Sequence, residues 1–496
     1  MQTVCFVTPP SAFLLDERVF PALGILKVAA AVEQAGYPVE HLDLAGVANY
    51  EAVVMAHCHA TEARTFALTA TSPQMPAATR VAATIRKELP NAKIILGGPH
   101  ATLVNAAAKL ELRRGCRGRA VSSLSALQES FHVIVSGDGE RAIFSAIDGV
   151  AGSNFDADVI DADNPASPLW LTSQGFSESP WPARHLIDMQ SYHYSIDGEP
   201  AMHMVCQLGC PFACGFCGGR NSPMLRRVRL RSTESAIEEM EHLHRAYGVK
   251  AMMLNDDELN VNRQMIPLMH AIRDLGRRYG FEWKLRGFVK AELFDDEQAK
   301  AMHDAGFRWL LCGFESAHPR ILRNINKKAT LEENTKMLRV AHANGLNVKA
   351  LMSFGHPGES EETILATRDW LLSERPDDFD CTVITEYPGT PYWDESVPIS
   401  DGEYVYETNG DKLYSRDINF TKDAAFYKGR VGSYRSFVWT DFISPDRLVE
   451  LRDAVEDEVR TKLGIPYPVE PSAINFEHSM GSGPLPSQIL RSIHAG

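Results

Sequence analysis

Four of the nine cysteines fall within residues 206–217, in the stretch CQLGCPFACGFC. Cys210, Cys214 and Cys217 follow the spacing C-x3-C-x2-C. Thiolates are soft ligands for iron or zinc, and spacing this tight lets one loop wrap one metal centre. A structural zinc site takes four ligands, usually in two pairs. No second C-x2-C and no paired-histidine partner follows here. Three thiolates suit a cubane iron–sulfur cluster with one iron left open to an exogenous ligand. Cys206, Cys210 and Cys214 make a second, evenly spaced triple, and a fourth thiolate would close the cluster and confine it to electron transfer. The favoured ligands are Cys210, Cys214 and Cys217, with Cys206 as a core residue of the preceding strand. Gly215 and Gly218 let the backbone turn around the centre.

Two series of elements must position this loop. The first third alternates short apolar strands (TVCFVTPP, PVEHLDL, TFALTATS, AKIILGGPH, FHVIVSGDGE) with helical segments such as LGILKVAAAVEQAGY and QMPAATRVAATIRKEL. That alternation predicts an α/β domain with a doubly wound, Rossmann-like parallel sheet. Ligands sit at the carboxyl ends of such strands, where Gly97, Gly98, Gly137 and Gly139 would let the backbone approach a bulky group. Residues 150–195 are rich in Asp, Pro and Ser and read as a linker. From about 200 to 390 a second series runs: AMHMVCQL, KAMMLND, EWKLRGFV, RWLLCGFES, NVKALMSFG and DCTVITEYPG, with helices between. Several helices begin at Ser, Thr or Asp and stop at Gly, as capping requires. Six β-α units predict a partial (β/α)6 barrel with chemistry at the strand C-termini. The last hundred residues read as an irregular α+β region, with one clear helix in SPDRLVELRDAVEDEVRTKLG and the segment YVYETNGDKLYSR as loops and short pieces. The expected domains are 1–148, a linker at 149–198, the barrel at 199–395 and a substrate or lid region at 396–496.

Composition narrows the classes. The 496 residues carry 50 Lys+Arg against 64 Asp+Glu, a formal charge of −14. No long nucleic acid partner is expected of so acidic a chain. The other five cysteines are scattered singly, which fits a reducing cytosol rather than a disulfide framework. The start lacks the basic and apolar regions of a signal peptide, and no apolar run is long enough to span a bilayer. A cytoplasmic protein without membrane partners is therefore expected. Arg226, Arg227, Arg229 and Arg231 form a basic run, read as a solvated loop before a helix, with carboxylate or phosphate recognition as the sharper alternative. Tyr404, Tyr406 and Tyr414 alternate with polar residues and read as strand packing. The Gly/Pro-rich INFEHSMGSGPLP near the end reads as a lid or a packed tail.

The motif CPFACGFC, with Phe216 before the last cysteine, resembles the signature of radical S-adenosylmethionine enzymes. The resemblance covers residues 200–390. It implies that Cys210, Cys214 and Cys217 hold a [4Fe-4S] cluster. It further implies that Asp256, Asp257 and Glu258 jointly serve the methionine amino group, and that Glu315 and Ser316 of GFES touch the ribose and methionyl part. FGHPGESEET, with Gly355, would lie near the adenine, and EYPGTPYW matches a sixth-strand ending. Residues 1–148 resemble the cobalamin-binding domain that precedes the barrel in one large subclass, through TPP, PALGILKVAAAVEQAGYPVEHLDL, GGPHATL and SGDGERAI. That implies cobalamin contacts from Thr8, Gly97, Gly98, His100, Gly137, Gly139 and Glu140. The D-x-H-x-x-G motif for an axial histidine is absent, so cobalamin would bind without a histidine below the cobalt. The implied activity is radical methylation of an unactivated carbon in a small-molecule or peptide-derived substrate, fed by flavodoxin or ferredoxin. The alternative is the same radical chemistry without methyl transfer, ending in cyclisation, rearrangement, ring contraction or oxidation, with cobalamin absent or in another role. No acid, base or radical-quenching residue is assigned.

Overall fold

In a computed structural model, residues 1–11, 17–149, 158–423, 425–426 and 435–466 are described. The INFEHSMGSGPLP segment lies outside them. The first sheet contains β1 (Val4–Thr8), β2 (Val39–Asp43), β3 (Thr65–Thr69), β4 (Lys93–Gly97), β5 (Val133–Ser136) and β6 (Asp158–Asp161), in the order β2-β1-β3-β4-β5-β6. All its pairs are parallel. Every residue of β1 and β5 is buried, because helices cover both faces of a parallel sheet. Cys5 and Val7 point to one face, packed with the helices Tyr50–Ala60 and Met75–Glu88. Val4 and Phe6 point to the other, packed with Leu23–Gln34 and Gly139–Asp148. The sixth strand comes from the stretch read as linker. Its Val159 and Ile160 are flanked by aspartates that hide a two-residue apolar run.

A short β7 (Ser195–Ile196) turns antiparallel into β8 (Glu199–Met204). A two-stranded ladder of β9 (Gln207–Leu208) and β10 (Arg229–Leu230) then brackets the cysteine loop. The barrel continues through β11 (Ala251–Leu254), β12 (Lys284–Phe288), β13 (Phe307–Glu315), β14 (Asn347–Phe354) and β15 (Asp378–Val383), in the order β15-β14-β13-β12-β11-β8-β7. Six of these strands are mutually parallel, so the structure has the partial (β/α)6 barrel. Its helices start where the caps were read. Ser232, Asp295, Thr330 and Ser360 each accept a backbone N–H from the first turn. Gly248, Gly280 and Gly306 close helices in the left-handed region.

The C-terminal region is more regular than the sequence suggests. β16 (Val397–Ser400), β17 (Glu403–Thr408), β18 (Asp411–Arg416) and β19 (Val438–Trp439) form an antiparallel sheet. Asn409 and Gly410, at φ 52° and 82°, make the tight turn of the β17–β18 hairpin. The helix Pro445–Leu463 lies along the barrel edge. There Arg460 donates to Phe379 O and pairs with Asp378, while Glu456 accepts the Cys381 N–H.

The domains are joined by buried charge. Arg229 pairs with Asp138 at 2.5 Å, donates to Leu171 O and lies over the Trp170 ring. Arg231 and Arg184 both pair with Glu239. Arg229 and Arg231 are thus pairing residues, correcting both sequence-based readings of the basic run: neither side chain is solvated and neither is free for a ligand. Arg119, from the first domain, is sandwiched between the rings of Trp393 and Tyr404, 3.9 and 3.8 Å from their centroids.

Candidate active site

The cysteine loop is pinned at several points. The Cys210 N–H donates to Leu225 O (3.0 Å), the Gly215 N–H to Ile325 O (2.8 Å), and the Tyr392 N–H to Gly215 O (3.1 Å). Asn326 Nδ2 donates to Ala213 O at 3.0 Å. The Arg220 guanidinium donates to the carbonyls of Cys210, Phe212 and Gly218, drawing the loop around one cation. Cys214 and Cys217 pack with Ile321 and Ile325. Three soft thiolates on one loop are a donor set that an iron–sulfur cluster takes. Burial pushes the Cys217 thiol up to about 12, with Arg220 opposing. A metal must supply the rest of the compensation for a thiolate there. Cys206 faces away, into the core with Met204, Ala236 and Met240.

Gly215 is held by shape. A Cβ there would lie 2.3 Å from the Tyr392 ring, and Tyr392 is itself fully buried. Gly215→Ala therefore displaces the loop, and we expect iron content after anaerobic reconstitution to fall at least tenfold in a chain that otherwise folds. Wild-type iron content in that variant would refute the expectation.

Beyond β11, the three acidic residues diverge. Asp256 Oδ1 accepts the Cys206 N–H at 2.6 Å, while Asp256 Oδ2 and Glu258 Oε2 are buried without a partner. Burial raises both carboxyls to about 7. Asp257 is exposed and lies within the influence of Arg220. Orphaned carboxylate oxygens beside the cysteine loop are what an ammonium-bearing ligand would need.

Glu315 ends β13 at a register shift, in the left-handed conformation (φ 65°). A side chain other than glycine held there costs roughly 1–3 kcal/mol, and such strain gathers at functional sites. Its Oε1 pairs with Lys327 Nζ at 3.0 Å and its Oε2 accepts from Ser353 Oγ at 2.7 Å. Because Ser353 donates to the carboxylate, its oxygen accepts from His356 Nε2 (2.8 Å). That leaves His356 Nδ1 to accept from the Tyr392 hydroxyl (3.4 Å). Burial brings His356 down to about 4, so the ring is neutral. Burial opposes the Glu315 charge, yet Lys327 and Ser353 together hold the carboxyl below its usual range. A continuous line Lys327–Glu315–Ser353–His356–Tyr392 thus joins β13 to the cysteine loop. Ser316 turns aside: its Oγ accepts the His318 N–H and meets Thr367. Gly355 (φ 92°) donates its N–H to Glu359.

The first domain presents two hollows. An apolar cavity of about 280 Å3 is lined by Phe6, Ile25, Val28, Ile95, Val135 and Ile143, with Gly97, Gly98, Gly137, Gly139 and Glu140 around it and Met224 and Leu225 of the barrel domain closing it. That volume admits one end of a large ligand, an apolar heterocycle for instance, and not a whole macrocycle. Three of these glycines also answer to packing within the chain. A Cβ at Gly98 would strike Thr69, one at Gly137 the Asp163 backbone, and one at Gly139 the Val28 side chain. They permit close approach of chain to chain. His100 and Thr8 are not in this cavity. His100 bonds Ser72 through Nδ1 and borders a groove of about 510 Å3 with Arg119, Tyr404 and Phe420. Thr8 Oγ1 lies 3.0 Å from His41 Nε2.

Sequence reasoning missed Arg220, Lys327, Ser353, His356 and Tyr392. His356 and Tyr392 lie inside quoted motifs, and their position in those motifs is the signal that could have found them. Lys327 has none beyond being a lysine after a short helix. Among the described residues, no helix is long and apolar enough to cross a membrane.

Residues 204–371 match the family model of the radical SAM superfamily, and residues 17–128 that of the B12 binding domain. An uncharacterised methyltransferase of Pyrococcus horikoshii is 28% identical over 340 residues, spanning 66% of this chain and 68% of that protein. The anaerobic magnesium-protoporphyrin IX monomethyl ester cyclase of Cereibacter sphaeroides is 25% identical over 340 residues, spanning 66% of this chain and 52% of that protein. Among solved structures, the radical S-adenosylmethionine methyltransferase TsrM of Kitasatospora setae, with tryptophan and a SAM analogue bound, superposes with a TM-score of 0.65 at 18% identity. That alignment covers 97% of this chain and 95% of that one.

Proposed function

We propose that this chain, a radical S-adenosylmethionine enzyme with a B12-binding domain ahead of its barrel, methylates an unactivated carbon of a small-molecule or peptide-derived substrate. The observation that carries the reading is the meeting of three elements at one end of the barrel: the pinned cysteine loop, two orphaned carboxylate oxygens and the strained Glu315. When bound, a [4Fe-4S] cluster with S-adenosylmethionine supplies one-electron cleavage of a sulfonium, and cobalamin supplies a carried methyl group. Cys210, Cys214 and Cys217 would hold the cluster. Asp256 and Glu258, with Asp257 at the rim, would hold the methionyl amino group. Glu315, kept ionised by Lys327, would accept from ribose hydroxyls, and Ser316 would serve the turn that presents it. The Gly355 backbone would flank the adenine. Phe212, Phe216 and Tyr392 would exclude water from the reacting centre. Gly97, Gly98, Gly137, Gly139 and Glu140 would border the cobalamin tail, with Thr8 and His100 further out. The functional units would divide at 148/149, 198/199 and 395/396. Flavodoxin or ferredoxin would deliver the electron in the cytoplasm.

A methyltransferase name on one relative and the TsrM-like fold over nearly the whole chain support methylation. The cyclase among the relatives supports a second reading, in which the same radical ends in ring closure. Anaerobic reconstitution with iron, sulfide and hydroxocobalamin should give four irons and one cobalt per chain, deoxyadenosine on reduction, and transfer of a labelled S-adenosylmethionine methyl group to the product. A protein that binds no cobalt yet cleaves S-adenosylmethionine, or a product without the label, would favour ring closure.

A further inference from the structure

The remaining cysteines are dispersed in the sequence, but one is not isolated in space. Cys5 on β1 and Glu40 on β2 are paired in register. Neighbouring parallel strands lie about 4.8 Å apart, and residues in register point to the same face. The helix Tyr50–Ala60 crosses that face and sets His57, in its last turn, between them. Cys5 Sγ lies 3.3 Å from His57 Nε2, and His57 Nε2 lies 3.2 Å from Glu40 Oε2. All three ligand atoms fall within 4.8 Å of one another. Thr61 Oγ1 donates to the same Glu40 oxygen at 2.6 Å and fixes its rotamer.

We propose that Cys5, Glu40 and His57 form a binding site for a borderline-soft divalent cation of the zinc class. The donor set is one thiolate, one imidazole and one carboxylate, each of a type that zinc takes. Bond lengths of about 2.3 Å to sulfur and 2.0–2.1 Å to nitrogen and oxygen place ligand atoms of a tetrahedron about 3.3–3.6 Å apart. The two edges at His57 are already close to that spacing, and the third lies within 4.8 Å, so small side-chain adjustments close the set around an ion. Cys5 is wholly buried, whereas the His57 and Glu40 side chains are 23% and 34% exposed. The ion therefore enters from solvent on one side, with a water in the fourth position. Binding replaces the Cys5 thiol proton, which leaves to solvent, and oxidises nothing. The site is separate from the proposed cofactor sites: Cys5 and Phe6 point to opposite faces of the sheet, and the 280 Å3 cavity is on the Phe6 face. The ion would tie the outer strand β2 to β1 and to the helix Tyr50–Ala60.

The test uses the full chain, reconstituted with iron, sulfide and hydroxocobalamin, then equilibrated with zinc buffered at micromolar free concentration. Zinc and iron per chain are measured by mass spectrometry and the zinc environment by X-ray absorption. One zinc per chain is expected, with a single sulfur among nitrogen and oxygen ligands. Cys5→Ser and His57→Gln should each lower zinc at least tenfold while leaving the iron count unchanged. The partly exposed His57 variant guards against a misfolded Cys5 variant. The proposal fails if wild-type chain takes up no zinc, if both variants retain it, or if two or more sulfurs surround it, which would place the zinc on another set of cysteines. None of these readouts depends on whether the product is a methylated or a cyclised molecule.

Discussion

Cys214→Ala should fold, bind no intact cluster and form no deoxyadenosine above background, while Cys206→Ala keeps both iron and activity. The two residues differ by eight positions in sequence and by the side of the chain they occupy. Cys214 sits on the loop, packed with Ile321 and Ile325 and flanked by Phe212, Phe216 and Cys217. Cys206 lies beneath it in the apolar core, where alanine removes one buried sulfur at roughly 1 kcal/mol. Mössbauer spectra and deoxyadenosine counts separate the outcomes. An active Cys214 variant, or an inactive, iron-free Cys206 variant, would show the alternative triple to be the ligand set.

The second large effect concerns Glu315. Truncating one partner of a buried ion pair strands the other charge, at roughly 3–5 kcal/mol. Glu315→Ala strands Lys327, whose charge is held against burial first by Glu315 and then by Cys214 and Glu258. We expect a marked loss of thermal stability and loss of S-adenosylmethionine binding. Glu315→Gln with Lys327→Met removes both charges, so it should recover most of the stability and none of the binding. Binding of S-adenosylmethionine by the double variant, measured by calorimetry, would assign Glu315 a structural role alone.

These residues also mark how far the sequence carries. The alternation of apolar runs and the helix caps carry the barrel strands and five of the six strands of the first sheet, because each rests on local periodicity, whereas β6 hides its short apolar run between aspartates. The β17–β18 hairpin is marked by the Asn409-Gly410 dipeptide between alternating tyrosines, although the polar residues around it favour a loop reading. The partners that tune the site were not legible. Lys327 reaches Glu315 across twelve residues and Tyr392 reaches Gly215 across a hundred and more, through folding back of the barrel that no window of sequence contains. The arginine run failed for the same reason: whether a guanidinium is solvated depends on Asp138, some ninety residues away.

That last pair has a bearing on how the two domains face one another. Separating the two domains would expose Arg229 and Asp138 unpaired and pull Arg119 from between its aromatic rings. Water would rehydrate both charges in an opened state, so the pair governs the register in which the domains meet more than the free energy of holding them together. A docking geometry fixed by Arg229, Asp138 and the caged Arg119 sets how the first-domain cavity faces the barrel mouth.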